Sequence, residues 1–429
     1  MPINDTNIIR ITDVTTADID SISQIPTYYP TFEEFKDFKK FIYKIEKRGA
    51  HHIGLCKVVP PKEWVARKNG YNDLDLFIIP NPISQSTFGK DGVYIQVNKP
   101  EKSVNFQTFR HFSYNTSSIT PNYTDWDDLE SQYWSTFHLS RPIYGANVSG
   151  TITDASQEYW NIAALPSILS DVLKEPIGGV NTPYLYFGSW RSTFGWHVED
   201  VDLYSINYLH FGMAKFWYVI PPPFSRRFEN LVKKLFSVEY EKCPAFLRHK
   251  VVIISPEFLR LNGIPTRKIL QEENEFMITF PYGYHSGFNT GLNIAESTNF
   301  ASSRWIEYGK QALICKCWSD TVKINMKMFV RKFQPQLFRD WLNKTDSTPH
   351  PLDLYDRVIK DNRIISKNFK AYDLACYKNE VDNYSSDEDT DWAYVDGDLT
   401  DSEIIKDSYN SFVNTIDDKP TNEKSICGY

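Results

Sequence analysis

Apolar positions recur at helical spacing in "TFEEFKDFKKFIYKIEKRG", where Phe35, Phe38, Ile42 and Ile45 fall on one face. Thr31 and Glu34 stand at capping-box spacing ahead of that stripe and Gly49 closes it, so the pattern predicts one helix from Thr31 to Gly49. From Tyr71 to Arg110 the period shortens. Runs such as "LFIIP" and "GVYIQV", broken by Pro, Asn and Gly, predict hairpins and loops, and "SSITPNYTD" reads as surface loop. Between Arg141 and Phe300, five strand-like runs ("YLYFGSW", "LYSINYLHF", "AKFWYVI", "EFMITF", "LNIAESTNF") are separated by helical pieces such as "FSRRFENLVKKLF" and "SPEFLRLNG". That order predicts a barrel-like antiparallel core with helical insertions. After Arg304, "WIEYGKQALI" and "VKINMKMFVRKFQPQLFRDWL" carry helical patterns. The acidic "SSDEDTDWAYVDGDLTDSE" carries none, and the tail from about Asp382 is expected to be disordered.

Composition narrows this picture. A chain of 429 residues suggests two or three domains and has ample material for a buried core. An aromatic share of 15% suits strand-rich cores and concave sites lined by rings. No apolar run reaches membrane-spanning length. The start "MPINDTNIIRITDVTTAD" lacks the basic opening and apolar core of a secretory signal, so a reducing compartment is expected. The six cysteines then read as thiols or metal ligands rather than disulfides, and the net charge of -7 disfavours DNA as the main ligand.

Candidate chemistry begins in "GWHVEDVDLYSINYLHFGMAKFWYVIPP". On a strand, residues i and i+2 share a face, so His197 and Glu199 project together. A third group of the same kind, His285, ends an apolar strand in "FPYGYHSGFNTG", 88 residues further on. Two histidines and a carboxylate on one face of an octahedron suit non-haem iron(II) oxygenases, and zinc hydrolases use the same ligand types. An oxygenase that consumes 2-oxoglutarate also needs a cation for the distal carboxylate, and Lys215 is the candidate. A turn near Gly212 would return the chain antiparallel and set Asn207 beside Lys215 on neighbouring strands.

These features together resemble the JmjN/JmjC histone lysine demethylases of the trimethyl-lysine class: HxE, the distant histidine, the Asn and Lys behind it, and "NTPYLYFG". "YYPTFEEFKDFKKFIYKIEKRGAHHIGLCKVVPPKEW" looks like the JmjN segment, so the resemblance runs from about Pro26 to Asn343. It implies an α+β protein with a double-stranded β-helix (jelly-roll, cupin-like) core, helical insertions, an N-terminal JmjN segment and a zinc-bound C-terminal helical part. The implied division is an extension over 1–25, JmjN over 26–67 and a linking β/loop region over 68–140. The JmjC catalytic domain follows over 141–310, then a helical region completing the zinc site over 311–381 and the acidic tail over 382–429.

The resemblance also implies roles. His197, Glu199 and His285 would hold iron(II). Tyr144, Asn207 and Lys215 would contact 2-oxoglutarate, with Trp217 walling its pocket. Cys243, His249, Cys315 and Cys317 would form a structural zinc site. Gly179, Tyr184, Tyr186, Glu199, Ser297, Thr298 and Asn299 would build the methyl-lysine pocket, whose oxygen-rich walls suit methyl carbons on a cationic nitrogen. The activity implied is demethylation of tri- and dimethylated lysine nine and/or thirty-six of histone H3 by methyl hydroxylation, releasing formaldehyde, succinate and carbon dioxide. The alternatives are a JmjC protein hydroxylase and a non-catalytic chromatin-binding module. The partners expected are the methylated H3 tail and chromatin in the nucleus, without a membrane or strong direct DNA binding. Asn147, Thr290 and Ile294 depart from the family's usual residues, which suggests altered peptide preference. The absence of a CxxC-rich finger or reader module after the catalytic unit suggests a short member or a truncated one.

Overall fold

Strand Tyr204–Gly212 is hydrogen-bonded along both edges, to Phe276–Thr279 on one side and Asn293–Phe300 on the other, both antiparallel. It sits inside a ten-stranded sheet that continues through Tyr184–Gly188, Ile143–Ser149 and the hairpin Ile83–Lys90/Val93–Pro100. A second, four-stranded sheet runs Arg267–Gln271, Lys215–Ile220, Tyr284–Asn289, Thr193–His197. The computed structural model describes residues 24–114, 119–317 and 321–355. The acidic tail and most of the N-terminal extension lie outside the described residues. The architecture is α+β, a jelly-roll-like pair of sheets with helical insertions, as the strand pattern predicts.

The hairpin at 83–100 turns on Asp91 and Gly92, both with positive φ (54° and 83°), the two-residue geometry whose twist matches the flanking strands. The turn after Gly212 behaves differently, and here the expectation of neighbouring strands is corrected. Strand Lys215–Ile220 pairs with Arg267–Gln271 and Tyr284–Asn289, in the other sheet. The reason is that both edges of Tyr204–Gly212 are already occupied, so the chain must cross to the smaller sheet. Asn207 and Lys215 therefore reach one cavity from different sheets.

The N-terminal helical stripe is also corrected. It forms two helices, Phe32–Lys36 and Phe38–Lys47, broken at Asp37, whose extended backbone lets its carboxylate cap the Lys40 N–H. The Thr31/Glu34 capping box forms as the spacing predicts. Gly49 adopts φ 87°, a left-handed stop that a β-carbon would strain. Phe35, Phe38 and Phe41 pack around Trp160, with Phe35 stacked on it at 4.2 Å. Strand Leu55–Val58 then joins the edge of Phe276–Thr279, tying this segment into the main sheet.

The expected β/loop region over 68–140 also holds two helices, Phe106–Ser113 and Trp126–Thr136, capped by Asn105 and Asp125. The first overlaps the stretch read as hairpins and loops and the second follows directly on the expected surface loop, because an Asn or Asp cap resembles a loop until the buried faces, Phe106 and Phe109 or Leu129 and Tyr133, find their cluster. The stretch after Arg304 is helical in pieces, Trp305–Gly309, Met326–Phe333 and Phe338–Leu342, interrupted at Gln334 and Pro335. No helix among the described residues is long and apolar enough to cross a membrane.

Candidate active site

Between the two sheets lies a cavity of about 660 Å³ that receives side chains from both. His197 ends strand Thr193–His197 and is the register partner of His285. The pairing slips between these partners and the next pair, Phe194 and Gly287, a bulge that aims His197 inward. Gly195 lies within the bulge, where a β-carbon would sit 2.5 Å from the Lys250 carbonyl.

Each histidine Nδ1 lies against the carbonyl two residues earlier, His197 to Gly195 at 2.8 Å and His285 to Gly283 at 2.9 Å. With Nδ1–H donating there, each Nε2 keeps its lone pair for the interior. Glu199 Oε1 is 3.3 Å from His285 Nε2 and 3.9 Å from His197 Nε2, while Asn299 Nδ2 donates to the other oxygen, Oε2, at 2.9 Å. Burial by itself would raise the Glu199 pKa, but the adjacent His285 ring and the nearby Lys250 hold its carboxyl well below the usual range. Burial, reinforced by the His285 ring, keeps His197 well below the ordinary imidazole value and so neutral. The three donor atoms lie within 4.8 Å of one another, a set able to hold a metal ion.

Lys215 is buried, and its ammonium donates to Asn289 Oδ1 at 2.9 Å with no carboxylate paired to it among the described residues. Burial lowers its pKa to about 7. The Tyr144 ring is 5.9 Å from the ammonium, and Trp217 donates Nε1–H to Gln271 at 3.0 Å while its ring faces His285 at 5.8 Å. Asn207 lines the cavity with its Oδ1 buried and unpartnered. A cationic group thus faces the cavity beside the triad, which suits a carboxylate of a small dianion.

Gly179, Tyr184, Tyr186, Glu199, Ser297 and Asn299 all line this cavity. Thr298, expected with them, does not. It points to the opposite face of its strand and donates to the Val180 carbonyl at 3.2 Å, steadying the 178–182 loop. Of the three departures, Asn147 lines the cavity in a left-handed conformation (φ 56°) that Asn tolerates. Thr290 instead donates to the Ala214 carbonyl, and Ile294 fills an apolar cluster with Phe187.

Sequence reasoning missed Asn289. Its oxygen takes hydrogen bonds from Lys215 and Asn293, and its Nδ2 donates to Ser192. Strand period from His285 would have found it, since 285, 287 and 289 share a face. Gly287 between them leaves room for Phe194, whose Cζ would be 2.6 Å from a β-carbon there.

The second cluster unites Cys243, His249, Cys315 and Cys317, from a helix end, a 3-10 turn and the chain after Trp305–Gly309. Cys243 and Cys315 sulfurs are 3.7 Å apart and His249 Nε2 is 3.2 Å from Cys315 Sγ. A tetrahedral zinc ion with sulfur ligands at about 2.3 Å would place them about 3.8 Å apart, so the donors fit that ion. Burial pushes the Cys243 thiol up, so a thiolate there calls for a cation beside it.

Residues 184–300 match the family "JmjC domain, hydroxylase" and residues 26–60 match "jmjN domain". The chain is 49% identical over 328 residues to "Lysine-specific demethylase 4B" of Mus musculus. It is 48% identical to "Probable lysine-specific demethylase 4F" of Homo sapiens and to "Lysine-specific demethylase 4D" of Rattus norvegicus, over 328 and 326 residues. The chain carries a JmjN and a JmjC domain. The matched part is 75–76% of this chain but spans 30%, 51% and 64% of these three relatives. In this JmjC protein the matched core contains the whole His/Glu/His triad, Asn207 and Lys215, whereas Tyr144 and the Cys/His cluster lie outside the JmjC match, apart from Cys243 and His249.

Proposed function

We propose that this chain is an iron(II)- and 2-oxoglutarate-dependent demethylase of tri- and dimethylated lysine, acting on the histone H3 tail at lysine nine and/or thirty-six. The observation that carries this reading is the triad, with both Nδ1 atoms tied back, opening on a cavity that also holds a buried lysine with no carboxylate partner among the described residues. Iron(II) with 2-oxoglutarate and dioxygen would supply the oxidation that hydroxylates a substrate methyl group, whose hemiaminal product collapses to formaldehyde, with succinate and carbon dioxide as co-products.

The chain's own groups divide the remaining work. His197, Glu199 and His285 would hold the metal, and Asn299 keeps Glu199 Oε2 occupied so that Oε1 faces the centre. Lys215 and the Tyr144 hydroxyl would bind the distal carboxylate of 2-oxoglutarate, with Asn207 offering its amide and Trp217 forming the wall. Gly179, Tyr184, Tyr186 and Ser297 would surround the methylated ammonium. Burial raises the Tyr186 pKa well above its usual value, so its hydroxyl stays neutral and its oxygen accepts weak C–H contacts. Cys243, His249, Cys315 and Cys317 would hold a structural zinc ion. The boundaries 26–67, 141–310 and 311–381, action on chromatin and a nuclear location belong to the same proposal.

Mass spectrometry of methylated H3 peptides incubated with the protein, iron(II), 2-oxoglutarate and ascorbate tests it. Stepwise loss of CH2 with formaldehyde is expected. Gain of oxygen without formaldehyde would instead make the chain a protein hydroxylase.

A further inference from the structure

The segment Cys243–Lys250 touches both metal-capable clusters. Cys243 and His249 belong to the sulfur-rich one, Lys250 lines the cavity, and Arg248 stands between them. Its guanidinium donates to the Val198 carbonyl at 3.1 Å, to the Glu199 carbonyl and to the Asp202 carboxylate. The side chains of Arg248 and Asp202 are 8% and 0% exposed.

These contacts hold an unfavourable piece of backbone. Just beyond Glu199, Val201 and Asp202 both take φ 53°, and Val201 is β-branched. Each such residue is strained and persists only where its surroundings over-determine it. Trp305 Nε1–H donates to the Val201 carbonyl at 2.8 Å, the Asp202 N–H closes on the Glu199 carbonyl at 3.0 Å, and Arg248 supplies the side-chain hold on the near side. A planar fork sets one nitrogen on the two carbonyls and a second on the carboxylate, whereas an ammonium has a single nitrogen to serve all three. Arg248 is in turn placed by the 3-10 turn Phe246–His249, whose last residue is itself a donor of the sulfur-rich cluster.

Resting on the reading of both clusters as metal sites, we propose that Arg248 is a positioning residue that couples them: order at Cys243, His249, Cys315 and Cys317 is passed through its guanidinium to the Glu199 turn. The affinity of the His197/Glu199/His285 triad for a divalent ion then depends on the sulfur-rich cluster, and the dependence is reciprocal.

Manganese(II) prefers oxygen and imidazole donors to thiolates, so it reports the triad. Its binding to the full-length chain is read by loss of the free-ion electron paramagnetic resonance signal, with zinc content measured on the same samples. Arg248→Gln is expected to keep its zinc and bind manganese about tenfold more weakly, the usual scale of such couplings. Arg248→Lys, which keeps the charge toward Asp202 but loses the fork, should fall between. Cys317→Ser should weaken triad binding in the native background and have no further effect beside Arg248→Gln. Native affinity in Arg248→Gln overturns the proposal, as does a Cys317→Ser effect that is equal in both backgrounds. Should Arg248→Gln fail to fold, Cys317→Ser alone decides, and unchanged manganese affinity there overturns the coupling. A native chain that binds no manganese, or binds it equally well as His197→Ala, defeats the metal-site reading itself and the coupling with it.

Discussion

His197 and His285 are cross-strand partners in the four-stranded sheet, with ring centroids 4.3 Å apart and each Nδ1 against the carbonyl of a glycine two residues before it. Neither ring depends on the other for its backbone position, because each strand has further pairing of its own or with a third strand. His197→Ala is therefore expected to leave the circular dichroism spectrum close to native while removing divalent-metal binding at the triad and formaldehyde release. Native turnover in that variant would take His197 out of the site.

Cys315 is the inner member of the sulfur-rich cluster, buried and within 3.7 Å of Cys243 Sγ and 3.2 Å of His249 Nε2. Cys315→Ser leaves an open tetrahedron at a place where separate segments meet. We expect loss of about one zinc ion per chain by elemental analysis and a stability loss on the order of several kcal/mol, visible in thermal unfolding. A zinc-free chain with unchanged melting behaviour would contradict the assignment.

Lys215 makes the stability of the ligand-free protein depend on pH. Its folded pKa is depressed by burial from 10.5 to about 7, so between those values the unfolded chain binds the extra proton. Stability contributed by this site therefore rises as pH increases from about 7 toward 10.5 and is lost as pH falls through 7. Each unit of depression is worth about 1.4 kcal/mol. Denaturant titrations across this window should show a positive slope that Lys215→Met removes. A bound dicarboxylate would restore the charge, so calorimetry at pH 8 to 9, run in buffers differing in ionisation enthalpy, should detect proton uptake on 2-oxoglutarate binding.

Ser297 faces the cavity with Asn207 and Tyr184 as its register partners, and its small side chain leaves room beside the tyrosines. Trimethylated and dimethylated peptides should outpace monomethylated ones, because a monomethyl ammonium can turn its one carbon away and donate N–H to the oxygen-rich wall. Ser297→Met is expected to slow trimethyl-lysine most, by up to about a hundredfold for a misplacement on the order of an ångström, with a smaller effect on dimethyl-lysine. Competing peptides in one tube give the ratio, and a native preference for monomethyl-lysine would sink this pocket geometry.

Local chemistry makes much of this protein legible in its sequence. The Thr31/Glu34 cap and the strand character of the aromatic runs each depend on residues within a few positions, where periodicity and capping act, whereas Glu199 lies two residues past the end of strand Thr193–His197 and meets His197 through the turn that follows, not through strand period. Strand period also separates Ser297 and Asn299 from Thr298 and puts Asn289 on the face of His285, so the places of Thr298 and Asn289 follow from a rule the chain itself contains. Other features are decided by tertiary structure. Nothing local to Gly212 says that Lys215–Ile220 leaves its neighbour's sheet; that follows from both edges of Tyr204–Gly212 being taken by strands more than 60 residues away. Nothing local to "CPAFLRH" shows that Arg248 reaches back to the carbonyls of Val198 and Glu199. Sequence period determines which face a side chain takes, whereas the partner across that face is settled only by long-range pairing and burial.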